Sequence, residues 1–245
     1  MIDLEKIARE YHLADQPDMF IENLCQEFEL EWVRKLIPSN SKVLELGYGD
    51  GVTFRNLSDY CDLTVVEGSE LIFTKACETA GRLGTVAKVV HGYFEDFSCE
   101  DKFDFVFASH VMEHVEEPAQ IVKKLTEWLK PSGKAIIIVP NAESIHRRLA
   151  VVLGLQPELN TLSARDKIVG HLRVFNLDEL KTLFKTPEWK IEEARGFFLK
   201  PLANFQLENF DPNIINALCE VSDDLDPRLC ANLGLVVSLL EGPRA

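Results

Sequence analysis

Lys42-Val43-Leu44-Glu45-Leu46-Gly47-Tyr48-Gly49-Asp50-Gly51 is the stretch whose reading decides the fold. A short strand, Lys42 to Leu46, runs straight into a turn with glycine at 47, 49 and 51. Glycines there let the backbone turn sharply and approach a ligand with no Cβ in the way. A tight βα turn without a ligand would use the same residues, so the surroundings have to decide. The spacing is Gly-x-Gly-x-Gly, whereas dinucleotide binders favour Gly-x-Gly-x-x-Gly with the pyrophosphate at the helix N-terminus. Leu63-Thr64-Val65-Val66 reads as the next strand, and Glu67 ends it. An acidic side chain there is placed to accept hydrogen bonds from both ribose hydroxyls of a nucleoside, the alternative being a solvated strand-end carboxylate.

Outward from that turn, strands and helices alternate. Strands are expected at 42–46, 63–66, 87–90, 103–107 and 135–139, with helices to about Tyr60, over 69–82 and near 115–130. Such alternation implies right-handed βαβ crossovers and a mostly parallel sheet. Pro131-Ser132-Gly133 reads as a breaker, and Ala135-Ile136-Ile137-Ile138-Val139 is apolar throughout, as a central strand covered on both faces should be. Beyond Pro140 the pattern loosens: a short helix at 143–152, a polar stretch from Gly154 to Gly170 without a period, a helix at 176–185, and a strand at 189–197. A mixed segment, 199–229, holds one helix at 213–222, and 231–240 closes as a strand. At the other end, Phe20, Ile21, Leu24, Phe28, Leu30, Val33 and Leu36 recur at helical spacing. The expectation is an α/β fold: a seven-stranded, mostly parallel sheet with helices on both faces and an N-terminal helical cap.

The 245 residues suffice for one large domain, and one domain is the economical reading. Lys and Arg number 26 against 40 Asp and Glu, a formal net charge of −14, which argues against nucleic-acid backbones and anionic membranes as partners. No apolar run reaches the ~20 residues of a membrane span, and Met1-Ile2-Asp3-Leu4-Glu5-Lys6 has no leader pattern. Cys25, Cys61, Cys77, Cys99, Cys219 and Cys230 are scattered, which favours free thiols over a zinc site or disulfide framework. A cytoplasmic setting is expected, as monomer or homodimer.

With these residues in hand, the chain resembles the class I S-adenosylmethionine-dependent methyltransferases of small-molecule type, a Rossmann-like fold. The resemblance covers about residues 40–140. It includes the glycine turn and Glu67, then His91-Gly92-Tyr93-Phe94-Glu95-Asp96 and Phe103-Asp104-Phe105-Val106. It continues through Ser109-His110-Val111-Met112-Glu113-His114 and Leu129-Lys130-Pro131-Ser132-Gly133-Lys134. It implies S-adenosylmethionine as cofactor, S-adenosylhomocysteine as product, and the layout of one domain over 1–245. Residues 1–40 would be N-terminal helices, 41–140 the cofactor half and 141–245 the acceptor half. The implied cofactor set is Glu45, Gly47, Tyr48, Gly49 and Gly51 at the methionine part, Glu67 and Gly68 at the ribose, Tyr93 and Phe94 by the adenine, and Ser109 and His110 near the sulfonium. Two departures stand out: Tyr48 is bulkier than the residue usual between the first glycines, and Tyr93 holds a place often taken by Asp.

Methyl transfer from a sulfonium is an in-line displacement, in which the protein aligns the nucleophile and removes its proton where needed. His110 and His171 are the candidate bases; a similar Gly-His-x-Arg-x-Phe segment is common in the resembling enzymes. A structural, hydrogen-bonded histidine is the alternative at each. Tyr11 could fold over the site from the N-terminus. Between His146 and Arg173 the local charge turns positive, and Arg148 and Arg173 are the expected clamps for a phosphate or carboxylate on the acceptor. Phe197-Phe198, followed by Lys200, Asn204 and Gln206, reads as core packing. His110, Glu113, His114 and His171 are similar to the Glu-x-x-Glu-His plus distal His of metal-dependent small-RNA and ubiquinone-pathway O-methyltransferases. His110 stands here for the first Glu, and no metal is assigned. The reading is O-methylation of a sugar, phospho or carboxylic metabolite, in natural-product or surface-glycan biosynthesis. N-methylation of an amino sugar and a non-catalytic nucleoside-binding regulator are the rivals.

Overall fold

Strand β1 (Lys42–Leu46) lies inside the sheet, third from one edge, and its side chains are covered from both sides. Leu44 and Leu46 face one layer, with Val106, Ile137, Val139 and, from the helices, Ile121, Leu125 and Trp128. Val43 faces the other, with Val65, Phe107, Ile136, Ile138, Phe54, Leu57 and Ile72. The computed structural model describes residues 3–14 and 19–240. Within them, β2 (Asp62–Glu67), β3 (Lys88–His91), β4 (Phe103–Ser109), β5 (Leu129–Pro140), β6 (Trp189–Phe197) and β7 (Asn232–Leu239) join β1 in the order β3-β2-β1-β4-β5-β7-β6. β7 runs antiparallel to both neighbours and the other pairings are parallel. This is the expected mostly parallel, seven-stranded sheet.

α1 (Leu4–Ile7) continues into a π-helical turn (Ala8–His12), and α2 (Met19–Leu36) follows. α3 (Val52–Leu57), α4 (Glu70–Leu83) and α5 (Pro118–Trp128) are the crossover helices. On the acceptor side come α6 (Ile145–Val152), α7 (Ala164–Ile168), α8 (Leu177–Thr182), α9 (Asn204–Leu207) and α10 (Pro212–Val221). A third apolar cluster ties Ile21 and Cys25 of α2 to Leu207, Ile215 and Cys219. Each such buried aliphatic side chain stabilises the fold by about 1.5–3 kcal/mol over leaving it in water.

Two differences from the sequence reading have physical causes. Pro131-Ser132-Gly133 does not end the helix ahead of a strand; it is an irregularity inside β5. Leu129 already pairs with Phe103, the register slips, and Lys134 pairs with Phe105, while Ser132 takes φ +61° in the bulge. The stretch 154–170 is not wholly aperiodic either. Ser163 caps α7 by accepting from Asp166 N, and Asp166 returns the bond to Ser163 N at 2.7 Å, a reciprocal cap that starts a helix without hydrophobic periodicity. No helix among the described residues is long and apolar enough to cross a membrane.

Candidate active site

The carboxyl ends of β1, β2 and β4 open on one cavity of roughly 340 Å³. Gly47, Gly49 and Gly51 all have positive φ, so the turn after β1 needs residues without a Cβ. At Gly51 the need is also steric, since a Cβ would sit 2.3 Å from the Tyr48 hydroxyl. The bulk of Tyr48 is thereby explained. Its ring folds back over Gly51 into the core and its hydroxyl donates to Thr79 Oγ1 at 3.0 Å, while its backbone stays in the turn.

Glu67 is fixed by that same turn. Tyr48 N donates to its Oε2 at 2.9 Å and Ser69 N to its Oε1 at 2.8 Å, which aims the carboxylate without exhausting its lone pairs. Glu45 is buried in the cavity wall, its Oε2 without a hydrogen-bond partner, and burial pushes its carboxyl well above the usual range. Phe94 and Ser109 also line the cavity. Gly68 and Tyr93 are not among the lining residues. Leu4 of α1 packs on Gly68, where a Cβ would come within 2.7 Å, and Tyr93 lies half-exposed beside it. The N-terminal cap thus packs over Gly68, next to Tyr93, the residue expected by the adenine.

After β4 the chain turns at His110, a non-glycine residue with φ +54°, a strained conformation of the kind that gathers at functional sites. Its ring lies between two buried carboxylates: Glu113 Oε1 is 3.5 Å from Nδ1, and Glu29 Oε2, on α2, is 3.7 Å from Nε2. Burial opposes the charged ring, but the two carboxylates outweigh it and push His110 up to about 10. That direction favours the charged ring, which has no lone pair with which to take a proton, and so weighs against His110 as the general base.

His171 is differently placed. Its Nδ1 donates to Asp166 Oδ1 at 3.0 Å, and a carboxylate can only accept, so in the neutral ring Nε2 keeps the lone pair; Nε2 lies 3.8 Å from Glu113 Oε1, and the residue lines the cavity. Burial would raise the Asp166 carboxyl, but His171, the Arg147 guanidinium at 2.6 Å and Ser163 hold it well below the usual carboxylate range. Gly170, at φ +85°, lets the preceding loop pass beneath Ile7, where a Cβ would be 2.3 Å from Ile7 Cδ1.

His114 packs edge-on to His171 with ring centroids 4.8 Å apart, and its Nδ1 lies 3.3 Å from Gly170 O. Burial, with His171 and His110, pushes it down to about 4, so its Nε2 also offers a lone pair. Glu113 is fully buried, and among the described residues neither of its carboxylate oxygens has a hydrogen-bond partner. Ligand atoms of Glu113, His114 and His171 lie within 4.8 Å of one another, a nitrogen and oxygen set suited to a divalent cation. His110 is outside that set.

The remaining wall is basic. Arg147 of α6 is buried and donates to Asp166, to Thr161 O at 2.9 Å and to Leu159 O at 3.4 Å. Arg165 reaches Glu22 at 2.6 Å, and Glu22 also accepts from the Tyr11 hydroxyl and from Asn204 Nδ2. Tyr11 therefore lines the cavity as expected, locked to α2, with burial and Glu22 raising its hydroxyl well above the ordinary value. Phe198 takes φ +63° after β6, and Lys200 beyond it enters the cavity wall. His146 joins them; burial pushes it down to about 2, and its Nδ1 has no hydrogen-bond partner.

The two expected clamps lie elsewhere. Arg148 is bound to Glu143, through its carbonyl at 2.5 Å and its carboxylate at 3.6 Å. Arg173 donates to the carbonyls of Met112, Val115 and Glu116, so it ties down the turn after β4 instead of facing the cavity. Both are fold contacts, and the basic wall is made by Arg147, Arg165 and Lys200.

A glycine turn without side chains, an oriented acid at the end of the next strand and a cavity at the carboxyl edge define an α/β protein built around a nucleoside cofactor. Residues 18–194 match the family model described as "Methyltransferase domain", and the chain belongs to that family, among the class I S-adenosylmethionine-dependent methyltransferases. It is 26% identical over 172 residues to the mitochondrial ubiquinone biosynthesis O-methyltransferase of Schizosaccharomyces pombe; the match covers 67% of this chain and 60% of that one. The chain therefore spans about three fifths of that relative's length. It is 24% identical to the ubiquinone biosynthesis O-methyltransferase of Ralstonia nicotianae, with 82% of this chain and 85% of the relative covered. In fold it is similar to an S-adenosylmethionine-dependent methyltransferase of Mesorhizobium loti, with a TM-score of 0.61, 14% identity, and 86% and 97% of the two chains covered.

Proposed function

We propose that this chain transfers the methyl group of S-adenosylmethionine to a hydroxyl oxygen of a small-molecule acceptor, in the cytoplasm. The residues fit the cofactor. The turn at Gly47, Gly49 and Gly51 leaves room for a ligand against the backbone, the unpaired Glu45 Oε2 awaits a donor such as an ammonium group, and Glu67 is aimed to receive ribose hydroxyls. When bound, the cofactor supplies a methyl carbon already activated by a positive sulfur.

What the chain adds is alignment and a proton acceptor. The single observation that carries the oxygen reading is the Asp166–His171 pair, which fixes the ring tautomer and leaves Nε2 to accept the hydroxyl proton. The two relatives named O-methyltransferases favour the same atom. The test is transfer to a panel of hydroxylated and amino metabolites, with wild type and His171→Ala. Methyl ethers from the wild type, lost in the variant and regained at high pH, are expected; transfer to amines alone, indifferent to His171, would overturn the reading.

The buried Glu113 carboxylate, ringed by three histidines but without a hydrogen bond among the described residues, favours a second reading, in which Glu113, His114 and His171 hold a divalent cation that lowers the pKa of the acceptor hydroxyl. Protein prepared without added metal and treated with a strong chelator separates the two. Loss of transfer restored by one divalent cation supports the metal, and unchanged transfer supports the free base.

A further inference from the structure

One cation in the cavity wall lacks a hydrogen-bond partner among the described residues. The Arg147 guanidinium is engaged by Asp166 and two carbonyls, and Arg165 is held by Glu22. Glu22 in turn already accepts from Tyr11, Arg165 and Asn204. Lys200 makes no hydrogen bond and no ion pair to any described residue, although its side chain sits in the cavity wall among these groups. Glu45, Asp50 and Glu67 line the end of the same cavity by the glycine turn; at the other end, among the described residues, Arg147, Arg165 and Lys200 stand against Glu22 and Asp166, a local excess of one positive charge in a chain of net −14.

An ammonium withdrawn from water without a counter-ion is unfavourable, so a protein that keeps one there keeps it for a partner that arrives later. Burial pushes the Lys200 amine below its ordinary value; Glu22 and Cys25 oppose that push without cancelling it, and the guanidinium groups of Arg165 and Arg147 add to it. Ile21, Cys25 and Phe198 line the same cavity and belong to one apolar cluster, a surface that suits a flat carbon skeleton.

We propose that Lys200 anchors the acceptor by a single carboxylate, so that the acceptor class is a hydroxylated carboxylic acid whose apolar body lies on Ile21, Cys25 and Phe198. This rests on the reading of the cavity as a methyl-acceptor site. A carboxylate matches the one positive charge in excess; a phosphate monoester, at close to two negative charges, exceeds it.

The test is calorimetric binding of protocatechuate, its carboxamide and phenyl phosphate to the protein saturated with S-adenosylhomocysteine, alongside turnover and thermal melting. Wild type and Lys200→Met are compared. A charged hydrogen bond at this depth predicts the acid binding about tenfold or more tighter than the amide. Lys200→Met should abolish that preference, leave S-adenosylhomocysteine affinity within about twofold, and melt no lower than wild type, since an unpaired buried charge is removed. Equal affinity for acid and amide, no binding of either, or tighter binding of the phosphate ester overturns the proposal. So does a Lys200→Met variant that loses S-adenosylhomocysteine, which would make Lys200 a cofactor contact, or one that melts lower, which would make it structural. Acid that binds through Lys200 without being methylated would leave the anchor standing and refute the O-methyl transfer instead.

Discussion

Replacing Asp166 by Asn keeps the shape of the side chain and removes its charge. Three contacts change: the Arg147 guanidinium at 2.6 Å, His171 Nδ1 at 3.0 Å and Ser163 N at 2.7 Å. Arg147 and Asp166 are both buried, and losing one partner of such a pair costs about 3–5 kcal/mol. The amide oxygen can still accept one bond, so about 3 kcal/mol is the fitting figure, and in a chain of this size that lowers Tm by roughly 6–12 °C. The sign of the pH dependence follows from a folded carboxyl held below its ordinary value. The contribution of Asp166 is complete above the unfolded value of about 4 and is lost as pH falls through the folded one, so the gap between wild type and variant should stay level from pH ~8 to ~5 and close only in strong acid. Catalysis should suffer separately. Asn can present its N–H to His171 Nδ1 and so move the ring proton to Nε2, removing the acceptor lone pair; kcat should fall by about 10² or more, with S-adenosylhomocysteine affinity unchanged. Thermal melting across pH, steady-state rates and calorimetry measure all three. A variant that melts lower as expected while keeping kcat within about threefold would refute His171 as the base.

The glycine turn and its acid give two further outcomes. Gly51→Ala places a left-handed backbone under a side chain, about 1–2 kcal/mol, and drives Tyr48 from its bond to Thr79, so Tm should fall by several degrees and cofactor affinity by about tenfold; unchanged calorimetry would exclude the turn from binding. Glu67→Ala removes two charge-assisted acceptors and should weaken S-adenosylhomocysteine by about 10- to 100-fold with acceptor KM nearly constant, whereas an effect on the acceptor alone would move Glu67 out of the ribose site.

What was legible in the sequence was local. Strand and helix alternation, the turn at Gly47 to Gly51 and the acid at Glu67 depend on residues adjacent in the chain, and the structure keeps each of them. What was missed depends on helix phase or on distant partners. Arg147 and Arg148 differ by one position, about 100° around α6, which is enough to turn one toward Asp166 and the other toward Glu143. Asp166 carried a faint local sign, the Ser163-x-x-Asp166 cap, in a stretch with no hydrophobic period. Glu29 carried none: on an amphipathic helix it looks like a solvated residue, and among the described residues Asn232 on β7 and His110 after β4 hold it inside. Lys200 was read with the aromatic pair before it as core, because a sequence does not show which charged group lacks a counter-ion.

The account stands or falls on where the methyl group goes. The most direct measurement incubates the wild-type chain with methyl-labelled S-adenosylmethionine and hydroxylated carboxylic acids, and assigns the labelled atom by mass spectrometry and NMR. The prediction is label on a hydroxyl oxygen, with S-adenosylhomocysteine formed in equal amount. Label on nitrogen, or tight cofactor binding with no label transferred to any acceptor, would contradict it.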